Sequence, residues 1–231
     1  MTGRPDRAER SLEVDVSGYM HNKGLSAGLN PCLLYPQVAA RDASQGLAMR
    51  SQQLVDVLKS VVQADVASQN SVIQFYMTHN LSGGWEGWLQ TVFARGVFSV
   101  DQIADFNREV PYTGSALRCD LWFQGGTGIW VELKTQRSGA YVNTVADFSA
   151  DIAKILSLAA PFRQANVLVA LAVFQLSAAD RNNLRQIQIR GPSGALNYWG
   201  WNSQRSAWVD VSADILNAPV GVLMVAAYRA P

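Results

Sequence analysis

The feature that most constrains the fold is an uninterrupted apolar run, VLVALAVF, at residues 167–174. Successive side chains of a strand point to opposite faces, so a strand that is apolar at every position is buried on both faces. Such a strand lies inside a sheet that other elements cover from both sides. The run is also much shorter than the roughly 20 apolar residues of a membrane-spanning helix. We therefore predict a covered β-sheet in a domain of the α/β or α+β class.

The length of the chain allows one large domain or two small ones, and its composition is that of a folded protein. The chain has 231 residues, and domains typically contain roughly 100–200. Hydrophobic residues make up 48% of the chain and charged residues only 16%, which supports a large core and excludes general disorder. The net charge of +1 provides no global attraction to nucleic acid, membranes or acidic substrates. Any such binding must therefore come from a local surface.

The sequence argues against two common kinds of stabilising site. Cys32 and Cys119 are far apart in the chain, and this spacing does not suggest a disulfide scaffold. His21 and His79 are equally isolated, so a Cys/His zinc site is not expected. The N-terminal residues mix both charge signs without a following apolar stretch, which is unlike a secretory signal. We expect a cytoplasmic protein with no membrane contact.

Helices and strands alternate along most of the chain. Residues 1–41 carry Gly and Pro without a sustained period and are predicted as an irregular N-terminal arm, followed by a single domain at 42–231. Apolar residues at helical spacing predict helices at 42–68, after Gly83-Gly84, at 144–159 with a Thr144/Asp147 cap, and from Ser177, plus a helical turn at 99–106. Alternating or continuous apolar residues predict strands at 108–112, 116–123, 128–136, 167–174, 198–201, 207–211 and 220–228.

Two of these strands form a predicted hairpin around the turn at 124–127. On the first strand, one face carries Leu117, Cys119, Leu121 and Phe123, and the other carries Arg118, Asp120 and Trp122. On the second strand, one face carries Ile129, Val131, Leu133 and Thr135, and the other carries Trp130, Glu132, Lys134 and Gln136. The mostly apolar sets define the core face. A symmetric register then pairs Phe123 with Ile129, Asp120 with Glu132, and Arg118 with Lys134.

The two carboxylates of the polar face would repel each other. Directly opposed residues of paired strands have Cβ atoms roughly 4.5–5.5 Å apart, and like charges at this distance are destabilising. The flanking Trp122 and Trp130 lower the local dielectric constant and strengthen the repulsion. A divalent cation bound by Asp120 and Glu132 would remove it, and Mg²⁺ typically binds one or two carboxylates together with water and phosphate oxygens. With Lys134 beside Glu132, such a site is suited to phosphodiester hydrolysis.

This arrangement resembles the PD-(D/E)XK nuclease superfamily, which has the restriction-endonuclease-like fold. The matching residues are Asp120 on one strand and Glu132-Leu133-Lys134 on the next, with Glu86 on the preceding helix. The resemblance covers about residues 83–174 and implies an α-β-β-β-α-β core, in which helices flank a central mixed sheet; the later strands extend it at the C-terminus. Cys119 departs from the motif, since it stands where the motif name has proline.

The resemblance also implies roles for individual residues. Asp120, Glu132 and Glu86 would bind the metal, either Mg²⁺ or Mn²⁺, and Lys134 would orient the attacking water or help to deprotonate it. Gln136 is similar to a polar residue found just past the lysine in some members, and Gln136 and Arg118 are the candidate substrate contacts. The expected protein is a Mg²⁺-dependent endonuclease acting on double-stranded DNA. Homodimers are common among similar enzymes, and a bacterial or phage-like setting, including delivery as a toxin, would fit.

Two other interpretations stay open at this point. The chain could be a non-catalytic member of the same fold that binds nucleic acid or a protein partner. Alternatively, Arg118 and Lys134 could neutralise Asp120 and Glu132 on a solvated surface, which would contribute little to stability. Glu86 in the first turn of a helix is also favoured by the helix dipole alone.

Other polar and aromatic residues have structural explanations. Asp151 and Lys154 are predicted to be an exposed i, i+3 pair. The tryptophans near the C-terminus could stack on bases, but cross-strand packing explains them at least as well; they are Trp199, Trp201 and Trp208. A modest excess of arginine is the best candidate for a surface that contacts a phosphate backbone. Its members are Arg163, Arg181, Arg185, Arg190 and Arg205, against the single acid Asp180.

Overall fold

The computed structural model describes residues 47–79, 84–100, 103, 105–124, 128–137, 143–190 and 194–231, with side chains from residue 50 onward. The predicted arm at 1–41 and the first residues of the first predicted helix lie outside this part of the chain. Cys32, His21 and Gly83 lie outside it as well.

Six helices lie within the described residues. They are α1 (Leu47–Val66), α2 (Val72–His79), α3 (Glu86–Val100), α4 (Thr144–Ser157), α5 (Ala160–Ala165) and α6 (Ala178–Arg190). The sequence predicts α1, α3, α4 and α6 but not α2 and α5, which have only 8 and 6 residues and too few turns to establish a period. In the part of the chain that the structure describes, no helix combines the length and hydrophobicity needed to cross a membrane.

Seven strands of the described residues form one mixed sheet. They are β1 (Asp105–Pro111), β2 (Arg118–Gln124), β3 (Ile129–Thr135), β4 (Val167–Gln175), β5 (Ala195–Asn202), β6 (Ala207–Asp210) and β7 (Leu223–Arg229). Their order across the sheet is β1-β2-β3-β4-β7-β5-β6. β3 and β4 run parallel, whereas the other neighbours run antiparallel. The predicted central mixed sheet with additional C-terminal strands is confirmed.

The sheet is the middle of three layers. β4 is buried at each position of residues 167–174, as predicted. Its alternate side chains enter two different cores. The first core lies against α1, α2 and α3 and contains Val167, Val169, Leu171 and Val173 of β4. The second core lies against α4, α5 and α6 and contains Leu168, Ala170, Ala172 and Phe174. Helices therefore cover both faces of the sheet.

Two predicted details concern the helix ends. The ends of the segment 99–106, predicted as a helical turn, belong to α3, which continues to Val100, and to β1, which begins at Asp105; residues 101, 102 and 104 lie outside the described residues. The N-terminal cap of α4 is Asn143 rather than Thr144. The Asn143 side chain accepts hydrogen bonds from the backbone N–H groups of Val145 and Ala146, which are among the donors that a helix start leaves without partners.

The predicted register of the hairpin is confirmed where β2 and β3 are paired. Leu121 lies opposite Val131, Trp122 opposite Trp130, and Phe123 opposite Ile129. At the next position the carboxylate of Asp120 accepts a hydrogen bond from the backbone N–H of Leu133 at 2.7 Å. A side chain thus takes the place of a backbone acceptor at this end of the hairpin.

The predicted face of Cys119 is wrong. Cys119 packs in the second core, whereas Leu121, two residues later, packs in the first. The opposite strand explains the break in alternation: β1 and β2 pair on both sides of Glu109, but Glu109 itself has φ of 55°. A residue in the left-handed region does not continue a regular strand. The strand pair is therefore distorted directly beside Asp120.

Candidate metal centre

Three carboxylates from three different elements converge on the α4 side of the sheet. Asp120 of β2, Glu132 of β3 and Asp151 of α4 each place one oxygen within 4.8 Å of the other two. Their exposed fractions are only 8%, 0% and 6%. The residue of β4 beside Glu132 is the small Ala170, which is itself buried in the second core. We call these three acids the carboxylate cluster.

Asp120 joins the backbone of the hairpin to a lysine. Its Oδ2 accepts the backbone N–H of Leu133 and lies 3.2 Å from Nζ of Lys134. The backbone N–H and the ammonium group thus both lie against the same carboxylate oxygen. The distorted strand pair next to Asp120 gives the side chain this position between the two strands.

Glu132 is the most deeply buried member of the cluster. Its Oε1 accepts a hydrogen bond from the hydroxyl of Tyr112 at 2.5 Å, and its Oε2 lies 2.7 Å from Nζ of Lys154. Burial raises the pKa of Glu132 to about 7, although the Lys154 and Tyr112 contacts oppose this increase. Near neutral pH the site therefore holds a carboxylate that is costly to ionise without a further positive charge.

Asp151 lies between two lysines. Its Oδ2 is 3.4 Å from Lys134 and its Oδ1 is 3.4 Å from Lys154. Burial raises the pKa of Asp151, whereas the two lysines lower it. Burial alone would lower the pKa of Lys134, but the adjacent Asp120 and Asp151 carboxylates raise it above its ordinary value. Lys134 is therefore a protonated ammonium group at neutral pH.

Glu86, predicted as a metal ligand, lies beside the cluster rather than within it. The indole N–H of Trp85 donates to the backbone carbonyl of Gln136, which joins the start of α3 to the end of β3. Burial raises the pKa of Glu86. The charge of Lys134 lowers this pKa, and the charge of Asp120 raises it. Its Oε2 is buried and has no hydrogen-bond partner among the described residues. Glu86 is thus close enough to interact electrostatically with the site.

The prediction of an exposed Asp151–Lys154 pair is wrong. The two side chains do form the i, i+3 contact, but Asp151 is buried and Lys154 reaches Glu132 on the sheet. A signal was present in the sequence: Asp151 lies one turn from both Phe148 and Ile155, on the apolar face of its helix. A carboxylate at such a position needs a polar partner in the core.

The two candidate substrate contacts lie outside the cluster. The side-chain carbonyl of Gln136 accepts the backbone N–H of Gln175 at 2.6 Å, where β3 and β4 end. The exposed Arg118 donates from Nη1 to the backbone carbonyl of Glu109. Gln136 thus has its partner at the end of β4, and Arg118 has its partner in the distorted part of β1. A contact with substrate stays a prediction for both side chains.

Aromatic side chains form one wall of the site. Trp122 and Trp130 lie on the same side of the sheet as the carboxylate cluster, as predicted, with their ring centroids 5.9 Å apart; α4 covers this side. The ring of Tyr112 stacks on that of Trp130, with their centroids 5.2 Å apart. The hydroxyl that donates to Glu132 therefore belongs to a ring with apolar surroundings. Burial raises the pKa of Tyr112 far above its ordinary value, and this phenol therefore acts as a hydrogen-bond donor.

The donor set suits a hard divalent cation. All three side chains of the cluster offer carboxylate oxygens, the ligands that Mg²⁺ and Mn²⁺ prefer. The Oδ2 of Asp151 is buried without a hydrogen-bond partner among the described residues and has only the longer Lys134 contact. With Glu86 included, the site and its edge contain four acids and two lysines, so ionisation of all four acids leaves negative charge uncompensated. Asp120, Glu132 and Asp151 are therefore the residues that would hold the ion.

Replacement of Tyr112 by phenylalanine tests how strongly the buried Glu132 depends on its neighbours. At pH 8 we expect Tyr112→Phe to lower the free energy of unfolding by about 2 kcal/mol, since the lost hydrogen bond has a charged acceptor. Tyr198→Phe is the matched control, because the buried hydroxyl of Tyr198 donates to the neutral backbone carbonyl of Leu184. Its removal should lower the free energy of unfolding by about 1 kcal/mol. Equal losses in urea denaturation would show that Glu132 is not ionised beside Tyr112.

Other residues considered for nucleic-acid contact have partners within the fold. Trp201 lies opposite Trp208 on neighbouring strands, with ring centroids 5.3 Å apart. Trp199 is buried in the first core. Arg163 donates to the backbone carbonyl of Leu156, and Arg181 to those of Leu216 and Ala218. Cross-strand packing thus accounts for the tryptophans, and part of the predicted arginine surface is used within the fold.

Comparison of the chain with family models, with curated proteins and with solved structures found no significant match. The arrangement of the site is therefore the available guide to its chemistry.

Proposed function

We propose that this chain is a Mg²⁺-dependent nuclease that hydrolyses phosphodiester bonds in DNA. The observation that carries the proposal is the carboxylate cluster with the protonated Lys134 beside it. The resemblance of the Asp120, Glu132 and Lys134 pattern to PD-(D/E)XK nucleases supports the same chemistry. The order of elements from α3 to β4 is consistent with it, with α5 as an addition.

The three acids of the cluster would hold the cation, and Glu86 would add negative charge at its edge. A bound Mg²⁺ supplies positive charge to the phosphate under attack and makes water a stronger acid. The acids come from two strands and one helix that pack against the same core. This rigid placement suits a site whose main task is to position charges.

Lys134 would orient the attacking water rather than deprotonate it. In the metal-free protein its raised pKa keeps the ammonium group protonated at neutral pH, and a protonated amine cannot accept a proton. The group can donate hydrogen bonds to a water molecule or to a phosphate oxygen. The resemblance implies two roles for this lysine. A protonated side chain fits the first of them, which is to orient the attacking water.

A plasmid cleavage assay tests the proposal. We expect the purified protein to nick or degrade plasmid DNA with Mg²⁺ and to be inactive with EDTA. Lys134→Met and Asp120→Ala should abolish cleavage, whereas Lys59→Met should leave it unchanged, because Lys59 pairs with Asp56 on α1. Circular dichroism would check that each variant is folded. Cleavage that persists in both site variants would contradict the assignment.

One observation favours a non-catalytic alternative. The two lysines already compensate part of the negative charge of the site, and the net charge of the whole chain is only +1. A non-catalytic member of the same fold would bind nucleic acid equally well with Mg²⁺ or EDTA and would not cleave it. If the cluster is only an ion-pair network, no divalent cation should raise the melting temperature.

A further inference from the structure

Lys154 occupies the carboxylate cluster in a way that the proposed chemistry does not require. Its Nζ lies 2.7 Å from Oε2 of Glu132, 3.4 Å from Oδ1 of Asp151 and 3.0 Å from the backbone carbonyl of Arg118. The ammonium group thus has three oxygens within 3.4 Å, of which the Arg118 carbonyl accepts a hydrogen bond and the two carboxylate oxygens are ion-pair contacts. Lysine is rare in this chain, with residues 23, 59, 134 and 154 the only ones in the sequence. Two of these four side chains reach the same cluster.

Two of the three oxygens around Lys154 belong to acids that would bind the divalent cation. An ammonium group and a divalent ion on the same carboxylates repel each other, and this repulsion is strong in a buried site. The cation and Lys154 therefore cannot both interact optimally with Glu132 and Asp151. Lys134 also contacts two acids of the cluster, Asp120 at 3.2 Å and Asp151 at 3.4 Å, but the shortest ion-pair contact of the site is the 2.7 Å contact of Lys154 with Glu132.

The surroundings of Lys154 allow its ammonium group to leave. Its side chain is 22% exposed and extends from a helix surface, and its third acceptor is the carbonyl of an exposed residue at the start of β2. A lysine side chain has a flexible four-carbon stem. Glu132 would stay oriented after its departure, because Tyr112 holds the other oxygen, Oε1. The site thus keeps its shape while Oε2 becomes available.

We propose that Lys154 is an internal counter-ion that neutralises Glu132 and Asp151 in the metal-free protein and is displaced when a divalent cation binds. This inference rests on the proposed metal site and adds a competition for its ligands. Loss of the ammonium group should therefore strengthen cation binding, whereas loss of an ordinary ligand or positioning residue would weaken it.

The first experiment measures Ca²⁺ and Mn²⁺ affinity by isothermal titration calorimetry. We expect Lys154→Met to bind both ions at least about 10-fold more tightly than the unmodified protein, which corresponds to roughly 1.4 kcal/mol. Lys59→Met is the matched control, since Lys59 has a similar side-chain exposure of 21%, and its affinity should not change. Equal or weaker binding by Lys154→Met would overturn the inference.

The second experiment needs no variant. Lysine acetylation of the unmodified protein, quantified by peptide mass spectrometry, should be slow at Lys154 with EDTA and several-fold faster with Ca²⁺, while Lys59 stays constant. Cation binding without increased labelling of Lys154 would overturn the displacement but leave the metal site intact. If calorimetry detects no binding by either protein, the metal site and the inference are both wrong.

Discussion

Asp151→Asn is expected to reduce Mg²⁺-dependent plasmid cleavage by at least roughly 100-fold, because even groups that only support a metal ligand cost 10–100-fold when they are lost. Asparagine has nearly the same shape as aspartate, so the packing of α4 against the sheet should be preserved. Asp151 makes ion pairs with Lys134 and Lys154, and its replacement removes one of the three acids of the cluster. The measurement is the initial cleavage rate at saturating Mg²⁺.

Asp147→Asn provides the control on the same helix. It makes the same change of charge one turn earlier, in the first turn of α4 and outside the carboxylate cluster. We expect full activity and at most a small loss of stability from the weaker interaction with the helix dipole. Equal rates for the two variants would exclude Asp151 from the chemistry.

The stability of the metal-free protein should fall as the pH rises from about 5 to 8. Glu132 has a pKa of about 7 in the folded protein against 4.5 ordinarily. Between these values the unfolded chain has released the proton that the folded protein still binds, so increasing pH favours unfolding. Each pH unit between the two pKa values corresponds to roughly 1.4 kcal/mol. The ionisation of Glu132 should therefore lower the free energy of unfolding by about 3 kcal/mol, and this decrease is complete above pH 7.

Urea denaturation in EDTA at several pH values checks this expectation. Glu86 and Asp151 also have raised pKa values, so the informative quantity is the difference between the unmodified protein and Glu132→Gln. The variant cannot ionise at this position, and its stability should decline less by about 3 kcal/mol over the same range. Parallel curves would mean that Glu132 titrates as an exposed residue does. Mg²⁺ should restore stability to the unmodified protein at pH 8.

The local part of the site could be predicted from the sequence. Asp120, Glu132 and Lys134 belong to one hairpin with a short loop, and alternation within each strand determines which side chains share a face. The register followed from the same loop and is confirmed for three pairs. Strict alternation predicts the wrong face for Cys119, because the left-handed backbone of Glu109 interrupts the alternation and has no counterpart in the pattern of apolar residues.

The non-local part could not be predicted in the same way. Asp151 and Lys154 join the site only because α4 packs on the sheet with one particular face, which depends on tertiary contacts. Their i, i+3 spacing is as typical of a solvated pair as of a buried one. Tyr112, the residue that follows β1, likewise reaches Glu132 from 20 residues earlier in the chain. Periodicity places Asp151 on the apolar face of α4, but long-range packing decides which side chains it meets there.

The hydrogen bond from Leu133 to Asp120 affects how a substrate complex should be trapped for crystallography. Truncation of Asp120 leaves that backbone donor without its acceptor and disturbs the adjoining strand ends. An inactive Asp120 variant would therefore lack a metal ligand and also have a changed hairpin structure, so the two effects could not be separated. Asp151, whose side-chain contacts are with two flexible lysines, can be changed to asparagine with the hairpin intact. Asp151→Asn is consequently the better starting point for capturing uncleaved DNA.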